Sequence, residues 1–415
     1  MDVLGERQHA YPAIHITGTN GKTSTTRMVD ALLRGLGLRT GRFTSPHLES
    51  VTERIAIDGA SLSAEAFAGA YADVAPYVAM VDVEQESATG DRVTFREVFT
   101  AMAFAAFADA PVDVAAVEVG MGGSWDSTNV IDAPVAVVTP IGLDHAAWLG
   151  STLAAIATEK AGILRPGATL VTARQPDSAA TVLARRAADV GATVVREGSE
   201  YGVLDRRLAV GGQAVTLRGL TGVYEDVFLP LLGVHQATNA AMAVAAVESF
   251  VGLGKHALDV EIVRDAFATV TCPGRLEVVR RRPTVLLDAA HNVASAVALA
   301  DALQEDFAFT RLVAVVGVLA DKDAAGILEA LEPVVDVLVV TQGDSERALP
   351  ATVLAAIAVD IFDPDRVRVE PALPDALDVA LGEAESVGDL GGAGVLVTGS
   401  ITTVGPARRL LRSGS

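Results

Sequence analysis

The chain has 415 residues, with 32 Lys or Arg against 52 Asp or Glu, a formal charge of −20 at pH 7. That balance excludes nucleic acid and anionic membrane as bulk electrostatic partners, and 50% hydrophobic residues exclude a disordered acidic chain. A single cysteine, Cys272, excludes an intrachain disulfide and suits a reducing compartment, while Met1-Asp2 opens no charged-then-apolar leader, so a cytoplasmic, soluble protein is expected.

Near-continuous apolar runs at residues 12–17, 113–119 and 134–139 have strand length and read as parallel strands buried on both faces. Residues 24–36 carry Met28, Ala31, Leu32 and Leu36 at helical spacing and stop at Gly35 and Gly37. The polar segment from Glu84 to Asp91 reads as an exposed loop. The longest stretch without a charged residue, 227–247, holds Pro230, Gly233, His235, Gln236 and Asn239 and makes a poor membrane span. An alanine-rich helix is expected at 236–252, then a second short helix, and the Pro-Gly pair of Thr271-Cys272-Pro273-Gly274 marks a boundary. Beyond it the alternation restarts, with strands near 284–288, 312–318, 334–341, 366–370 and 394–398 and helices near 292–305, 322–332, 373–385 and 402–411. The pattern predicts a two-domain α/β protein: residues 1–272 as a P-loop mononucleotide-binding domain with a mostly parallel sheet, and 273–415 as a Rossmann-like α/β domain.

The first apolar run leads into Gly18-Thr19-Asn20-Gly21-Lys22-Thr23-Ser24 and then a helix. Glycines there let backbone amides and a helix N-terminus cradle phosphate oxygens, Lys22 adds a point charge, and the Thr23 hydroxyl can reach Mg²⁺. The usual spacing would place glycine at Ile16, so this is a shorter GxxGKT variant. Glu118 ends a strand beside a glycine-rich loop, where a nucleotide-bound Mg²⁺ needs a carboxylate; capping that loop is the plainer alternative. His145, in Gly142-Leu143-Asp144-His145, follows the next strand and is either a metal ligand or a structural histidine. Lys160 would pass for an ordinary helix lysine, except that the chain has only four: Lys22, Lys160, Lys255 and Lys322. In so arginine-rich a chain, a retained lysine is a candidate for chemistry that arginine cannot do. Asp288-Ala289-Ala290-His291-Asn292 closes another strand and could bind ribose, an amino acid or a metal, or simply cap the next helix. Asp321-Lys322-Asp323 reads as an N-cap with its acidic first turn.

Together these motifs resemble the folylpolyglutamate synthase and dihydrofolate synthase family of the Mur-type ligases. The resemblance runs through HITGTNGKTST at 15–25, TSPHLESVTERI at 44–55, TFREVFTAMAF at 94–104, VEVGMGGSWDSTNV at 117–130, GLDHAAWLG at 142–150, EKAGI at 159–163, PGRLE at 273–277, DAAHN at 288–292 and VTGSITTVG at 397–405. It implies an ATP-dependent ligase that adds L-glutamate to folates, and to dihydropteroate, through an acyl phosphate, with small-molecule partners only and a monomeric state.

The resemblance also implies site roles. Gly18, Thr19, Asn20, Gly21, Lys22, Thr23 and Ser24 would bind ATP, with Asn239, Arg275 and Asp288 as nucleotide contacts from the second domain's side. Ser45, Glu118 and His145 would hold two Mg²⁺ ions together with Lys160, which matches the family lysine that reacts with CO₂ to give a carbamate. Lys22, Lys160 and His291 would be catalytic, and His291 and Ser400 would hold glutamate. Thr94, Phe95, Arg96 and Glu97, with Trp125, Asp126 and Ser127, match segments lining the pteridine or dihydropteroate pocket. Ser124 stands where the family commonly has arginine and Ser127 where it has alanine, and 17 residues precede Gly18 where members carry a few dozen. A Mur-type ligase with a different acceptor and a non-catalytic nucleotide-binding paralogue are the alternatives.

Overall fold

The computed structural model describes residues 1–88, 90–252, 255–386 and 392–413. They cluster into two units: Met1–Arg207 with Ala214–Pro230 and Ala237–Val270, and Thr271–Ser415 with Leu208–Gln213 and Leu231–Gln236.

The first unit is built on β1 (Ala13–Thr17), β2 (Thr40–Phe43), β3 (Ile55–Ile57), β4 (Ala60–Ser61), β5 (Val114–Glu118), β6 (Val135–Val138), β7 (Thr169–Thr172) and β8 (Thr193–Arg196). They lie in the order β4-β3-β2-β5-β1-β6-β7-β8. Pairing is parallel from β2 through to β8 and antiparallel only at β2–β3 and β3–β4. Every residue of β1, β5 and β6 is buried, the reason these strands read as unbroken apolar runs. Helices α1 (Lys22–Gly35), α2 (Ala64–Ala88) and α3 (Phe95–Asp109) follow the first strands, and α4 (Ala146–Leu149), α5 (Leu153–Ala161) and α6 (Asp177–Val190) the later ones. Phe99, Met102, Phe104 and Phe107 of α3 pack with Ala115 and Val117 of β5, while Ile156 of α5 and Leu183 of α6 pack with Val138 and Leu170.

The loop expected at 84–91 is corrected here: residues 84–88 are the last turns of α2, and Thr89 lies outside the described residues. Glu, Gln and Ala in that stretch are good helix formers, so polarity by itself did not mark a loop. The chain then turns back, the Val93 amide donating to Asp82 Oδ1 at 2.7 Å and Arg92 pairing with Glu86 at 3.1 Å.

A feature without counterpart in the expected pattern is a three-stranded sheet, β11-β10-β9, formed by β9 (Gly202–Ala209), β10 (Gly212–Arg218) and β11 (Val223–Leu229). A two-residue turn with Gly211 at φ 83° joins β9 to β10. Helices α7 (Val234–Gly252) and α8 (Val260–Ala268) follow. Glu248, fully buried on α7, accepts from Tyr224 Oη at 2.6 Å and Thr221 Oγ1 at 3.4 Å, and also from the Leu220 amide. Glu248→Ala would leave the buried Tyr224 hydroxyl without this acceptor and the Leu220 amide and Thr221 hydroxyl to find others. It is expected to cost about 3 kcal/mol of stability, read from the urea unfolding midpoint.

The second unit carries β12 (Glu277–Arg281), β13 (Thr284–Leu287), β14 (Arg311–Val316), β15 (Val337–Val340), β16 (Val367–Val369) and β17 (Ala393–Thr398), in the order β12-β13-β17-β14-β15-β16. Only β12 is antiparallel. Helices α9 (Val293–Asp306), α10 (Ala324–Leu331), α11 (Ala351–Ala358), α12 (Leu373–Glu385) and α13 (Ile401–Ser413) complete it. Asp323 caps α10 by accepting from the Gly326 amide, the plain reading of that acidic pair. Among the described residues no helix is long and apolar enough to cross a membrane.

Candidate active site

The first unit's site begins where β1 turns into α1. Gly18 has φ 143°, and a Cβ there would come within 1.9 Å of Thr139 Oγ1, just past β6. Gly21, at φ 85°, is the N-cap of α1 and supplies no side-chain oxygen to the first-turn amides. Those amides and the helix dipole are the ingredients of an anion cradle. A Cβ on Gly21 would meet Asn239 Oδ1 at 2.7 Å, so Asn239 lies against the loop from within the first unit. Thr19 ties the loop to the segment after β6: its amide donates to Pro140 O at 2.9 Å, and its hydroxyl sits 3.1 Å from Gly142 O and 3.0 Å from the Gly142 amide.

Two lysines meet on one oxygen. Lys22 Nζ donates to Gly18 O at 3.1 Å and to Thr19 O at 3.0 Å, and Lys160 Nζ, near the C-terminal end of α5, donates to Gly18 O at 2.7 Å. Lys160 is 3% exposed. Burial first, and then the charge of Lys22, pull its pKa from 10.5 to about 7, against the opposing pull of Asp144, Asp126 and Glu159. The plainer alternative, an ordinary solvated helix lysine, does not hold: the amine is buried and its pKa lies near 7.

Glu118, 1% exposed at the end of β5, takes the Thr23 hydroxyl on Oε1 at 2.9 Å and the Ser45 amide on Oε2 at 3.2 Å. Three of the residues expected around a nucleotide-bound cation are thus hydrogen-bonded to one another. His145 is the N-cap of α4 at φ 52°, with Nε2 3.8 Å from Asp144 Oδ2. Among the described residues no three His, Cys, Asp or Glu side chains converge into a ready-made metal cage. The donor set still fits Mg²⁺, which keeps waters and substrate phosphates and needs only one or two protein carboxylates.

The residues expected to line the acceptor pocket divide by role. Thr94 and Glu97 form a capping box at the start of α3, the Thr94 amide and hydroxyl donating to Glu97 Oε2 at 2.8 and 2.6 Å. Ser127 bonds the Thr100 hydroxyl at 2.7 Å, and Arg96 pairs with Asp126 through Nε at 2.9 Å and Nη2 at 3.0 Å. Burial pushes the Asp126 carboxyl up, but Arg96 and the Thr128 hydrogen bonds outweigh it and hold the pKa below the usual carboxylate range. The rings of Phe95 and Trp125 are left 64% and 52% exposed, and Arg54 stands 5.7 Å over Phe95.

Sequence reasoning missed Glu53. Its carboxylate accepts the amides of Leu48, Glu49 and Ser50 at 2.9, 2.9 and 2.8 Å, shaping the loop that starts at Ser45. The Ser50…Glu53 spacing of a capping box was the available signal. Ser124 also gains a role: its hydroxyl and amide both donate to Glu159 O at 3.0 Å, tying the glycine-rich loop to the helix that carries Lys160.

In the second unit, parallel pairing of Leu287 with Val397 brings the segments after β13 and β17 side by side. The Gly399 amide donates to Ala290 O at 3.1 Å, so Asp288, His291 and Ser400 share one sheet edge. Asp288 accepts the Leu276 and Ala290 amides at 2.7 and 2.8 Å; burial raises its pKa, opposed by Arg275 and His235. The helix cap anticipated for Asp288 is instead Asn292. His291 Nδ1 lies 2.9 Å from Ala289 O. A carbonyl only accepts, so Nδ1 carries a proton and donates it to Ala289 O. Ser400 Oγ accepts the Thr402 amide at 3.1 Å at the start of α13.

The Mur ligase middle domain matches residues 16–247 and the Mur ligase glutamate ligase domain residues 274–401. The dihydrofolate synthase/folylpolyglutamate synthase of Mycobacterium tuberculosis is 52% identical over 428 residues, covering 99% of this chain and 88% of that protein. A Mycobacterium tuberculosis folylpolyglutamate synthase structure complexed with ADP superposes with a TM-score of 0.94 at 53% identity, over 99% of this chain and 92% of that one. An Escherichia coli enzyme solved in complex with DHPP and ADP gives a TM-score of 0.83 at 31% identity, over 99% and 91%. Motif order, a phosphate-binding loop with two lysines on one carbonyl, and full-length similarity converge: the chain belongs to the dihydrofolate synthase/folylpolyglutamate synthase family of ATP-dependent Mur-type ligases.

Proposed function

We propose that this ligase is bifunctional, adding L-glutamate both to folates and to dihydropteroate. The observation that carries the ligase chemistry is Lys160, a buried amine of pKa about 7 placed 2.7 Å from the carbonyl of the phosphate loop. The acceptor reading rests on the printed name of the 52% identical relative, which includes both activities.

The acceptor carboxylate attacks the γ-phosphorus of ATP; the bond to the β–γ bridging oxygen breaks, ADP leaves, and an acyl phosphate forms. The glutamate ammonium loses one proton, its free amine attacks the acyl carbon, the carbon–oxygen bond to phosphate breaks, and loss of a second proton from nitrogen leaves the amide and inorganic phosphate. Residues 18–24 with Asn239 hold the nucleotide. Ser45, Thr23, Glu118 and His145 would hold Mg²⁺, which supplies charge neutralisation for the phosphoryl oxygens. A neutral Lys160 is the form that adds to CO₂, and the resulting carbamate replaces a cation by an acidic group beside the phosphates. Lys22 stabilises the transferring phosphoryl group as a point charge. His291 and Ser400 receive glutamate. Phe95 and Trp125 offer aromatic faces to the pteridine ring.

Glutamate-dependent ADP release tests the proposal, comparing dihydropteroate with tetrahydrofolate. Release with both acceptors is expected. Release with tetrahydrofolate alone would restrict the enzyme to polyglutamylation, and a muropeptide outperforming both would refute the folate reading.

A further inference from the structure

Arg96 was expected in the acceptor pocket, where a guanidinium could meet a substrate anion. Its donors are directed elsewhere. Nε and Nη2 form a two-pronged pair with Asp126 at 2.9 and 3.0 Å, and Nη1 donates to Ser45 Oγ at 3.2 Å. The guanidinium lies so close on Gly120 that a Cβ there would be 1.9 Å from Arg96 Cζ, so this residue must be glycine for the arginine to reach across. Asp126 is equally committed: Oδ2 also accepts the Gly120 and Met121 amides at 3.2 Å, and Oδ1 the Thr128 amide and hydroxyl at 3.1 and 2.6 Å.

These bonds close a circuit around the cation site. From α1, Thr23 reaches Glu118; Glu118 reaches the Ser45 amide; Ser45 Oγ reaches Arg96; Arg96 reaches Asp126; and Asp126 reaches Thr128. Thr128 Oγ1 spends its proton on Asp126, so it accepts from His15 Nε2 at 2.9 Å, and His15 sits on β1, which runs into the phosphate loop. Burial holds His15 neutral, with its pKa lowered to about 3, so that link does not switch across physiological pH.

We infer that Arg96 is a positioning residue for the nucleotide-bound cation, orienting Ser45 Oγ and fixing the 120–128 loop through Asp126, and not an anion ligand for the acceptor. The inference rests on the proposed role of Ser45 and Glu118 in holding Mg²⁺. Two geometric facts carry it. Arg96 occupies one lone pair of Ser45 Oγ, which confines the hydroxyl proton and the second lone pair to the two remaining tetrahedral positions. Its charge is balanced by Asp126, so it brings no net positive charge to a site that must receive a cation. Lysine cannot reproduce this, since it has no fork to span two side chains.

Mn²⁺ binding to the ADP complex, followed by electron paramagnetic resonance, tests it alongside the tetrahydrofolate KM. Arg96→Lys is expected to weaken Mn²⁺ about 10-fold, the scale on which outer-shell partners act, and to move the acceptor KM less than about 2-fold. Combining Arg96→Lys with Ser45→Ala is expected to weaken Mn²⁺ no further than Ser45→Ala alone. Unchanged Mn²⁺ affinity with a raised acceptor KM would overturn the inference, as would effects of the two substitutions that multiply. If Arg96→Lys unfolds, seen by circular dichroism, Ser45→Ala and Ser45→Cys in the intact arginine background carry the test, with weakened Mn²⁺ binding at unchanged acceptor KM expected. A parent ADP complex that binds no Mn²⁺ would defeat the cation reading itself, an outcome distinct from an intact parent and an unaffected variant.

Discussion

Lys160→Ala is expected to lower ligation by about 1,000-fold, the upper range for removing a single transition-state-stabilising group, while circular dichroism shows an intact fold. Short carboxylic acids added to that variant are expected to restore part of the turnover by standing in for the carbamate; unchanged turnover without them would refute the role. The pH dependence has a definite sign. Because the amine titrates near 7, neutral nucleophile accumulates as pH rises through 7, and bicarbonate-dependent reactivation of enzyme stripped of its carbamate is expected to rise over the same interval. The unmodified protein has a matching signature in stability. With a folded pKa of about 7 and an unfolded value of 10.5, the penalty for burying the ammonium is fully present below pH 7 and relieved as pH rises toward 10.5. Stability of the CO₂-free protein therefore rises with pH in that window, a slope that Lys160→Met should remove.

Gly18→Ala is expected to have the second large effect. The new methyl would fall 1.9 Å from Thr139 Oγ1 and 2.9 Å from Thr139 O, at a φ of 143° that side-chain-bearing residues rarely adopt. Strain and overpacking together are expected to cost about 3 kcal/mol of stability. Nucleotide affinity should fall about 100-fold, because the carbonyl that receives both lysines moves with the strained residue. Titration of ADP by calorimetry checks it. Adding Thr139→Ala removes the contact with Oγ1 but not the backbone strain, so partial recovery is expected. Full recovery would show that φ contributes nothing.

Much of the fold was legible because both sheets bury strands on two faces. Such strands cannot alternate, and the runs at residues 12–17, 113–119 and 134–139 announced β1, β5 and β6 within a residue or so at each end. The sheet of β9, β10 and β11 was not read, although Val215 and Leu217 alternate with less buried neighbours in the period-2 pattern of a one-faced strand. Charged residues such as Asp205, Arg206 and Arg207 hid β9, which is mostly exposed. The missed turns of α2 show the converse error, a polar helix end taken for a loop.

The candidate site divides along the same line. Residue types, order and spacing along the chain determined the phosphate loop, the acidic strand end and the family, since these depend on local backbone geometry and on chemistry that few side chains can perform. Which groups are spoken for was decided only by the tertiary structure. Thr94 and Glu97 cap a helix, Asp126 and Arg96 hold each other, and Asn239 lies against Gly21 from the first unit. A hydrogen bond between residues 51 positions apart, such as that from Arg96 to Ser45, has no period and no local propensity to announce it. Nor does the depressed pKa of Lys160, which follows from burial against Lys22, a residue distant in the chain. The scarcity of lysine singled that amine out; desolvation by the folded protein is what lowers its pKa.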